Sequence, residues 1–146
     1  MPPNIIRKYI TIGFTKFCVG TIEQAKIIKD INSNLKIVGS IAMHITIDEL
    51  NNNKEKYQNL FDAFVLDFSF NKSISNIKKL PKDFEYIILC NSLCSIYCDG
   101  DRHWWTKDIY SMTCPGLYPA IKFENSCLIR PMDLQFFTPY IKIFKL

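Results

Sequence analysis

The sequence contains no long apolar run and no glycine-rich motif of the kind that binds nucleotides. No apolar stretch approaches the ~20 residues of a membrane-spanning helix, so we expect no membrane segment. Residues 1–8 lack the basic, apolar and small-residue regions of a signal peptide, which favours a cytoplasmic protein. The absence of a Gly-x-Gly-x-x-Gly or Walker-type loop argues against a nucleotide-binding doubly wound sheet.

Histidine is scarce, with 2 residues that lie far apart in the sequence, His44 and His103. The chain also has no Gly-x-Ser-x-Gly nucleophile elbow. A pair of Cys94 and His103 could act as nucleophile and base, but no third group that would orient the base is evident. A hydrolase or peptidase is therefore the weakest of the functions considered.

Clusters of positive charge are also missing, although the net charge is +4. The basic residues are dispersed along the chain, whereas a nucleic-acid-binding face needs clustered lysine and arginine. We interpret these residues as a solvated surface, so nucleic acid is a weakly supported partner.

The apolar residues, 48% of the sequence, predict strands that alternate with helices. Since parallel strands need crossover helices, this order predicts an α/β fold with parallel pairing and right-handed connections. A length of 146 residues suits one domain with one core, residues 1–146. The predicted strands are Tyr9–Phe14, Lys36–Ile41, Ala63–Asp67, Glu85–Leu89 and Tyr140–Leu146.

Two threonines have the spacing of a helix capping box, with a glutamine or glutamate three residues later. Thr21 and Thr46 are accordingly predicted to open helices, the second of which runs to about Leu60. A third helix should carry Ile74 and Leu80, and a short helix should begin at Pro131 because proline suits a first helical turn. The residues predicted to be buried on these helices are Ile22, Ala25, Ile28, Ile31, Ile74, Ile77, Leu80, Leu134 and Phe137.

About five strands are fewer than the eight of a closed (β/α) barrel. We therefore predict a partial TIM-type (β/α) barrel. Three explanations remain open. The chain is a truncated product, it needs a second chain or a second copy of itself to complete the barrel, or it closes as a small open sheet.

The segment 90–127 is rich in cysteine and directly follows a predicted buried strand. In a reducing compartment, the 6 cysteines of this chain are more often thiols or ligands than disulfides. Soft ligands at the carboxyl end of a strand predict a metal or iron–sulfur centre.

Short motifs follow the fourth predicted strand in a defined order. They are Asn91-x-x-Cys94-x-x-x-Cys98, Arg102-His103-Trp104, Cys114, Ile129-Arg130-Pro131-Met132-Asp133-Leu134 and Phe144-Lys145-Leu146. In this order, over about Glu85 to Leu146, they resemble the collagenase-like peptidase family. The resemblance implies that the chain is the carboxyl-terminal half of a (β/α)8-like barrel. The site of such a barrel lies at the carboxyl ends of the strands and would be lined by Asn91, Arg102, His103 and Trp104. It also implies a four-iron, four-sulfur cluster and a redox or hydroxylation-assisting role on RNA or a cofactor precursor.

The ligands of such a cluster follow from the cysteine spacing. On a helix, Cys94 and Cys98 would lie on one face about 6 Å apart at Cβ, and Cys114 could return across the loop. A cluster usually has four thiolates. The candidates for the fourth ligand are Cys127, which we favour, Cys90, an external ligand or a cysteine from the missing half of the barrel. We expect Cys90 to be a small hydrophobic residue of the strand.

Zinc is an alternative, held by Cys94, Cys98, His103 and Cys114 as in closed structural sites. A segment without metal, whose thiols are buried or free, is another. In these cases the chain would be a non-catalytic half-barrel assembly module. Arg102 could bind a carboxylate or phosphate, and Trp104 could shield a cluster from water. A surface role for Arg102 and ordinary core packing for Trp104 are the favoured alternatives.

Overall fold

The computed structural model describes residues 2–91 and 127–146. Within these ranges, strands alternate with helices and follow one another in chain order in a 5-stranded sheet. The strands are β1 (Lys16–Val19), β2 (Lys36–Gly39), β3 (Ala63–Val65), β4 (Glu85–Leu89) and β5 (Ile143–Lys145). The pairs β1–β2, β2–β3 and β4–β5 are parallel, and the prediction of an α/β fold with about five parallel strands is confirmed.

Helices occupy most of the connections between these strands. The α-helices are α1 (Pro3–Thr11), α2 (Ile22–Ile31), α3 (Ile47–Asn52), α4 (Lys54–Gln58), α5 (Ile74–Ile77) and α6 (Leu134–Phe137). The 3₁₀ helices are Ile41–Met43, Phe68–Lys72 and Pro131–Asp133. No helix in the described part of the chain combines the length and the apolarity needed to cross a membrane.

The first predicted strand, Tyr9–Phe14, is wrong, because its first residues form the end of α1. Pro3 lies in the first turn of this helix, where backbone N–H groups have no intrahelical partner, so proline loses no hydrogen bond there. Ile6 is buried on one face of the helix. The strand lies further along, in β1, where Phe17 and Val19 alternate with exposed residues. A stretch rich in isoleucine suits either structure, so the proline was the more informative signal.

The two predicted helix caps are confirmed. The hydroxyl oxygen of Thr21 accepts a hydrogen bond from the N–H of Gln24 at 3.2 Å, and that of Thr46 accepts one from the N–H of Glu49 at 3.1 Å. The side chain of Gln24 returns to the N–H of Gly20 at 3.0 Å, one residue before the cap. These bonds satisfy backbone donors that the first helical turn leaves without partners.

The helix predicted to run to about Leu60 is divided into α3 and α4 at Asn53. Asparagine is a poor helix former, and three of them in succession make the break understandable. The third predicted helix is also shorter than expected, because the turn Phe68–Lys72 precedes it and α5 ends at Ile77. Its last expected residue, Leu80, is buried beyond the helix end.

The chain divides into two compact units, of which unit 1 comprises Met1–Val65 and Leu80–Tyr86. A series of aromatic rings at centroid distances of 4.9 to 6.5 Å forms part of its core. These rings belong to Tyr57, Phe61, Phe64, Phe84 and Tyr86. Tyr57 lies on α4, Phe64 on β3 and Tyr86 on β4, whereas Phe61 and Phe84 directly precede β3 and β4 in the chain. Burial of these large rings holds the elements together.

Unit 2 comprises Leu66–Lys79 and Ile87–Leu146. Its parallel pair aligns Ile87 with Ile143 and Leu89 with Lys145. The predicted strand Glu85–Leu89 and the short helix that begins at Pro131 are both found as expected. The core residues of this unit include Phe70, Ile77, Ile88, Phe137 and Ile141.

Candidate functional site

The structure describes two of the predicted site residues, Asn91 and Cys127. Asn91 is exposed in the turn after β4, and Cys127 is buried. The other predicted site residues lie outside the described ranges: Cys94, Cys98, Arg102, His103, Trp104 and Cys114. The geometry of the candidate site is therefore that of the flanks of segment 92–126, by which we mean residues 89–91 and 127–129.

Backbone hydrogen bonds join the two flanks. The N–H of Ile129 donates to the carbonyl oxygen of Cys90 at 2.9 Å. The N–H of Cys90 in turn donates to the carbonyl oxygen of Lys145 at 2.9 Å, which extends the pairing of β4 with β5 by one residue. The chain thus leaves the sheet at the carboxyl end of β4 and is hydrogen-bonded to the same place again at Ile129.

Side chains of the 3₁₀ helix Phe68–Lys72 reinforce this connection. Asn71 Nδ2 donates to the carbonyl oxygens of Leu89 at 2.7 Å and Cys127 at 2.6 Å. The next residue, Lys72, donates through Nζ to the carbonyl oxygen of Leu128 at 2.9 Å. Asn71 is 2% exposed and is the one buried polar or charged residue found in residues 2–91 and 127–146.

Two thiols lie at the joined flanks, and both are buried. Cys90 is 3% exposed and Cys127 is 1% exposed. Burial raises the pKa of the Cys90 thiol, so this side chain is neutral at pH 7 and resembles a small apolar residue. A third described cysteine, Cys18, is exposed on β1.

These thiols fit a soft metal centre only in part. Buried sulfur atoms suit an iron–sulfur cluster, because exclusion of water is one control on its potential. However, no group of three or more His, Cys, Asp or Glu residues within the described ranges could hold a metal ion. A cluster at this place therefore requires ligands from segment 92–126, as the sequence analysis expects.

Two further residues that follow strands have local structural features. His44, after the 3₁₀ helix Ile41–Met43, has a φ of 47°, a left-handed conformation that is uncommon for residues other than glycine. Asp67 caps the 3₁₀ helix Phe68–Lys72, because its Oδ1 accepts a hydrogen bond from the N–H of Ser69 at 2.9 Å. This bond gives Asp67 a structural role in unit 2.

The run that begins at Ile129 contains an ion pair. Arg130 Nε and Nη2 donate to the two carboxylate oxygens of Asp133 at 2.8 and 2.9 Å. The guanidinium of Arg130 accordingly lowers the pKa of Asp133, mainly through these hydrogen bonds. The spacing of three residues between Arg130 and Asp133 thus allows an ion pair across the short helix that begins at Pro131.

Sequence reasoning did not identify Asn71 as a site residue. It stands in a polar stretch, and its partner Cys127 lies 56 residues further along the chain. No local pattern gives such a contact, and the assignment of Cys127 as a site residue stays a prediction.

Comparisons with models of protein families, with curated proteins and with solved structures find no match. The resemblance to the collagenase-like peptidase family therefore stays a prediction, and the function has to be argued from the chemistry of the residues.

Proposed function

We propose that residues 90–127 bind a four-iron, four-sulfur cluster through Cys94, Cys98, Cys114 and Cys127. The main support is the connection between the flanks of segment 92–126, where Ile129 donates to the carbonyl oxygen of Cys90. Because both ends of the segment are fixed at one place, less conformational entropy is lost when its thiols converge on one centre.

The burial of Cys127 at the flanks of segment 92–126 supports the same proposal. Cys127 is 1% exposed, and its backbone is hydrogen-bonded to the side chain of Asn71. A ligand in such a position is shielded from water and held by fixed backbone, which stabilises a cluster and influences its potential. Zinc held by Cys94, Cys98, His103 and Cys114 would not use this residue, which is why the iron–sulfur centre is preferred.

The role that we propose is redox or hydroxylation-assisting, on RNA or a cofactor precursor, in the cytoplasm. This part of the proposal is supported by the motif order alone. We expect the isolated chain to be inactive, because the other strands of the proposed barrel would have to come from a second chain or a second copy.

Metal analysis after anaerobic reconstitution tests the cluster. We expect about four irons per chain and the broad visible absorption of an iron–sulfur cluster. Cys94→Ala and Cys98→Ala should each lose most of this iron, whereas Cys18→Ala, which alters an exposed thiol on β1, should retain it. Colourless protein without iron would contradict the proposal, and bound zinc that depends on His103 would favour the alternative.

A non-catalytic assembly module is the second candidate function, and exposed apolar side chains beside the outer strands favour it. The strand order leaves β1 and β5 at the edges of the described sheet. Phe14, which precedes β1, is 51% exposed, and Leu146, which follows β5, is 89% exposed. Edge strands beside apolar side chains tend to pair with another chain. Analytical ultracentrifugation should then give a dimer or larger species, and a stable monomer at high concentration would contradict this function.

A further inference from the structure

Asn71 links the two flanks of segment 92–126 through a single side-chain nitrogen. Its Nδ2 donates to the carbonyl oxygen of Leu89, the last residue of β4, and to that of Cys127. We propose that Asn71 is a positioning residue that fixes the returning chain at Cys127 against the carboxyl end of β4.

The orientation of the amide follows from its partners. A primary amide has two N–H donors on nitrogen and acceptor lone pairs on oxygen. The opposite orientation would direct Oδ1 of Asn71 at two carbonyl oxygens, and acceptors that face one another make no hydrogen bond. The nitrogen is therefore the atom that faces Leu89 and Cys127.

Asn71 is 2% exposed, and both bonds described for its side chain are made by the amide nitrogen. Its Oδ1 is buried and has no hydrogen-bond partner in the described part of the chain. An apolar side chain of similar shape would make neither of the two N–H bonds. The two donors are therefore what distinguishes asparagine from an apolar residue at this position.

The neighbouring contacts leave a specific task to this residue. Lys72 reaches the carbonyl oxygen of Leu128 through a solvent-exposed bond, and Ile129 pairs with Cys90 through the backbone. The bond from Asn71 reaches the carbonyl of Cys127 itself. If Cys127 is a cluster ligand, Asn71 sets its position, and this last step rests on the proposed function.

Thiol labelling of the metal-free full chain tests the link without reference to the cluster. We expect Asn71→Leu and Asn71→Asp to increase the native-state rate of maleimide labelling at Cys127 by about tenfold or more, since each removes two hydrogen bonds. Labelling of the exposed Cys18 should not change. Ile28→Ala, a cavity variant in α2 of unit 1, serves as the control for a general loss of stability.

The two Asn71 variants separate hydrogen bonding from packing. Aspartate keeps the shape of asparagine but turns an oxygen toward the two carbonyls, so labelling at Cys127 should increase as much as in the leucine variant or more. Labelling of Asn71→Asp at the wild-type rate would overturn the proposal. The proposal would also be overturned if labelling at Cys127 increased only as much as the loss of unfolding free energy predicts. Ile28→Ala gives that relation between stability and labelling rate.

Hydrogen exchange of the unaltered protein gives a second measurement if the variants do not fold. The N–H of Ile129 should be protected as strongly as the amides of β4, and an unprotected amide there would overturn the proposal. Iron content separates this proposal from the cluster. If the variants are labelled rapidly but the protein binds no iron, the role of Asn71 is supported and the cluster is excluded. If labelling is unchanged and the iron content is normal, only the role of Asn71 is excluded.

Discussion

The ring of Phe64 in β3 fills the space beside Gly39, its cross-strand neighbour in β2. A Cβ on Gly39 would lie 2.7 Å from Cε1 of this ring and 3.0 Å from Sδ of Met43, closer than unstrained contacts allow. Phe64 is fully buried and contacts the rings of Phe61 and Phe84, so a displacement of its ring would disturb this packing. The absence of a side chain at residue 39 thus lets the aromatic core pack directly on β2.

We expect Gly39→Ala to lower the free energy of unfolding by about 1–3 kcal/mol, the usual range for overpacking. Gly20→Ala is the matched control, because a Cβ there would meet the Cβ of Ala42 at an ordinary 3.8 Å. Urea denaturation of both variants measures the difference. Equal stability of the two would show that Phe64 moves aside at little cost.

Asp62 should stabilise the protein more at neutral than at acidic pH. Its carboxylate accepts hydrogen bonds from Nζ of Lys36 at 2.7 Å and from the N–H of Ile37 at 2.9 Å. Burial alone would raise the pKa of Asp62, but these bonds and the charges of Lys36 and Lys29 outweigh it and lower the pKa. A lowered pKa in the folded state gives stability that is present above the unfolded pKa of about 3.9 and is lost as the pH falls through the folded value.

Asp62→Asn is accordingly expected to cost about 1 kcal/mol at pH 7 and almost nothing at an acidic pH below the lowered pKa of Asp62, where both side chains are neutral. Asp83→Asn breaks an exposed ion pair with Lys54 and should cost less than about 0.5 kcal/mol. Urea denaturation at the two pH values measures both variants. An equal loss of unfolding free energy for Asp62→Asn at both pH values would contradict the lowered pKa that we assign to Asp62.

Tyr57→Phe should lower the free energy of unfolding by about 1–3 kcal/mol. The buried hydroxyl of Tyr57 donates to the carboxylate of Glu49, and hydrogen bonds to charged groups are the stronger ones. Burial, then this bond and the charge of Glu49, raises the pKa of Tyr57. The contribution of the protonated hydroxyl should therefore be the same at pH 7 and pH 9, below the unfolded tyrosine pKa of about 10.

Tyr9→Phe is the control for this variant, because Tyr9 is 39% exposed and loss of its hydroxyl should change stability by less than about 0.5 kcal/mol. Urea denaturation at the two pH values measures both. If the loss in Tyr57→Phe were no larger than in Tyr9→Phe, the bond to Glu49 would not contribute net stability.

The identity of the fourth cluster ligand can be tested with two cysteines of equal burial. Cys127→Ala should remove most of the iron that the reconstituted protein binds, whereas Cys90→Ala should retain it. Both side chains are almost completely buried, so the loss of packing is closely matched. Iron measured per chain gives the answer, and retention of iron in Cys127→Ala would exclude this residue as a ligand.

Much of the fold follows from short-range patterns in the sequence. The caps at Thr21 and Thr46 were predictable because a cap depends on residues within one helical turn. The first strand was misplaced because Ile10 and Ile12 suit a strand and a helix equally well. Only the position of Pro3 distinguishes the two, through the first turn that it permits.

The candidate site was less accessible to sequence reasoning. Cys127 was proposed from its chemistry alone, and its burial is compatible with that proposal. Asn71 could not be found in this way, because its burial and both its partners depend on residues 18 and 56 positions further along the chain. A polar residue within a polar turn gives no sign of such contacts.

The bond between Tyr57 and Glu49 also has a consequence for folding. Helix α3 has 6 residues and α4 has 5, and isolated helices shorter than ~12 residues do not persist in water. The bond spans the break at Asn53 and makes the order of each helix depend on the other. The pair should then form and melt as one cooperative element, and its backbone amides should exchange with solvent as a group.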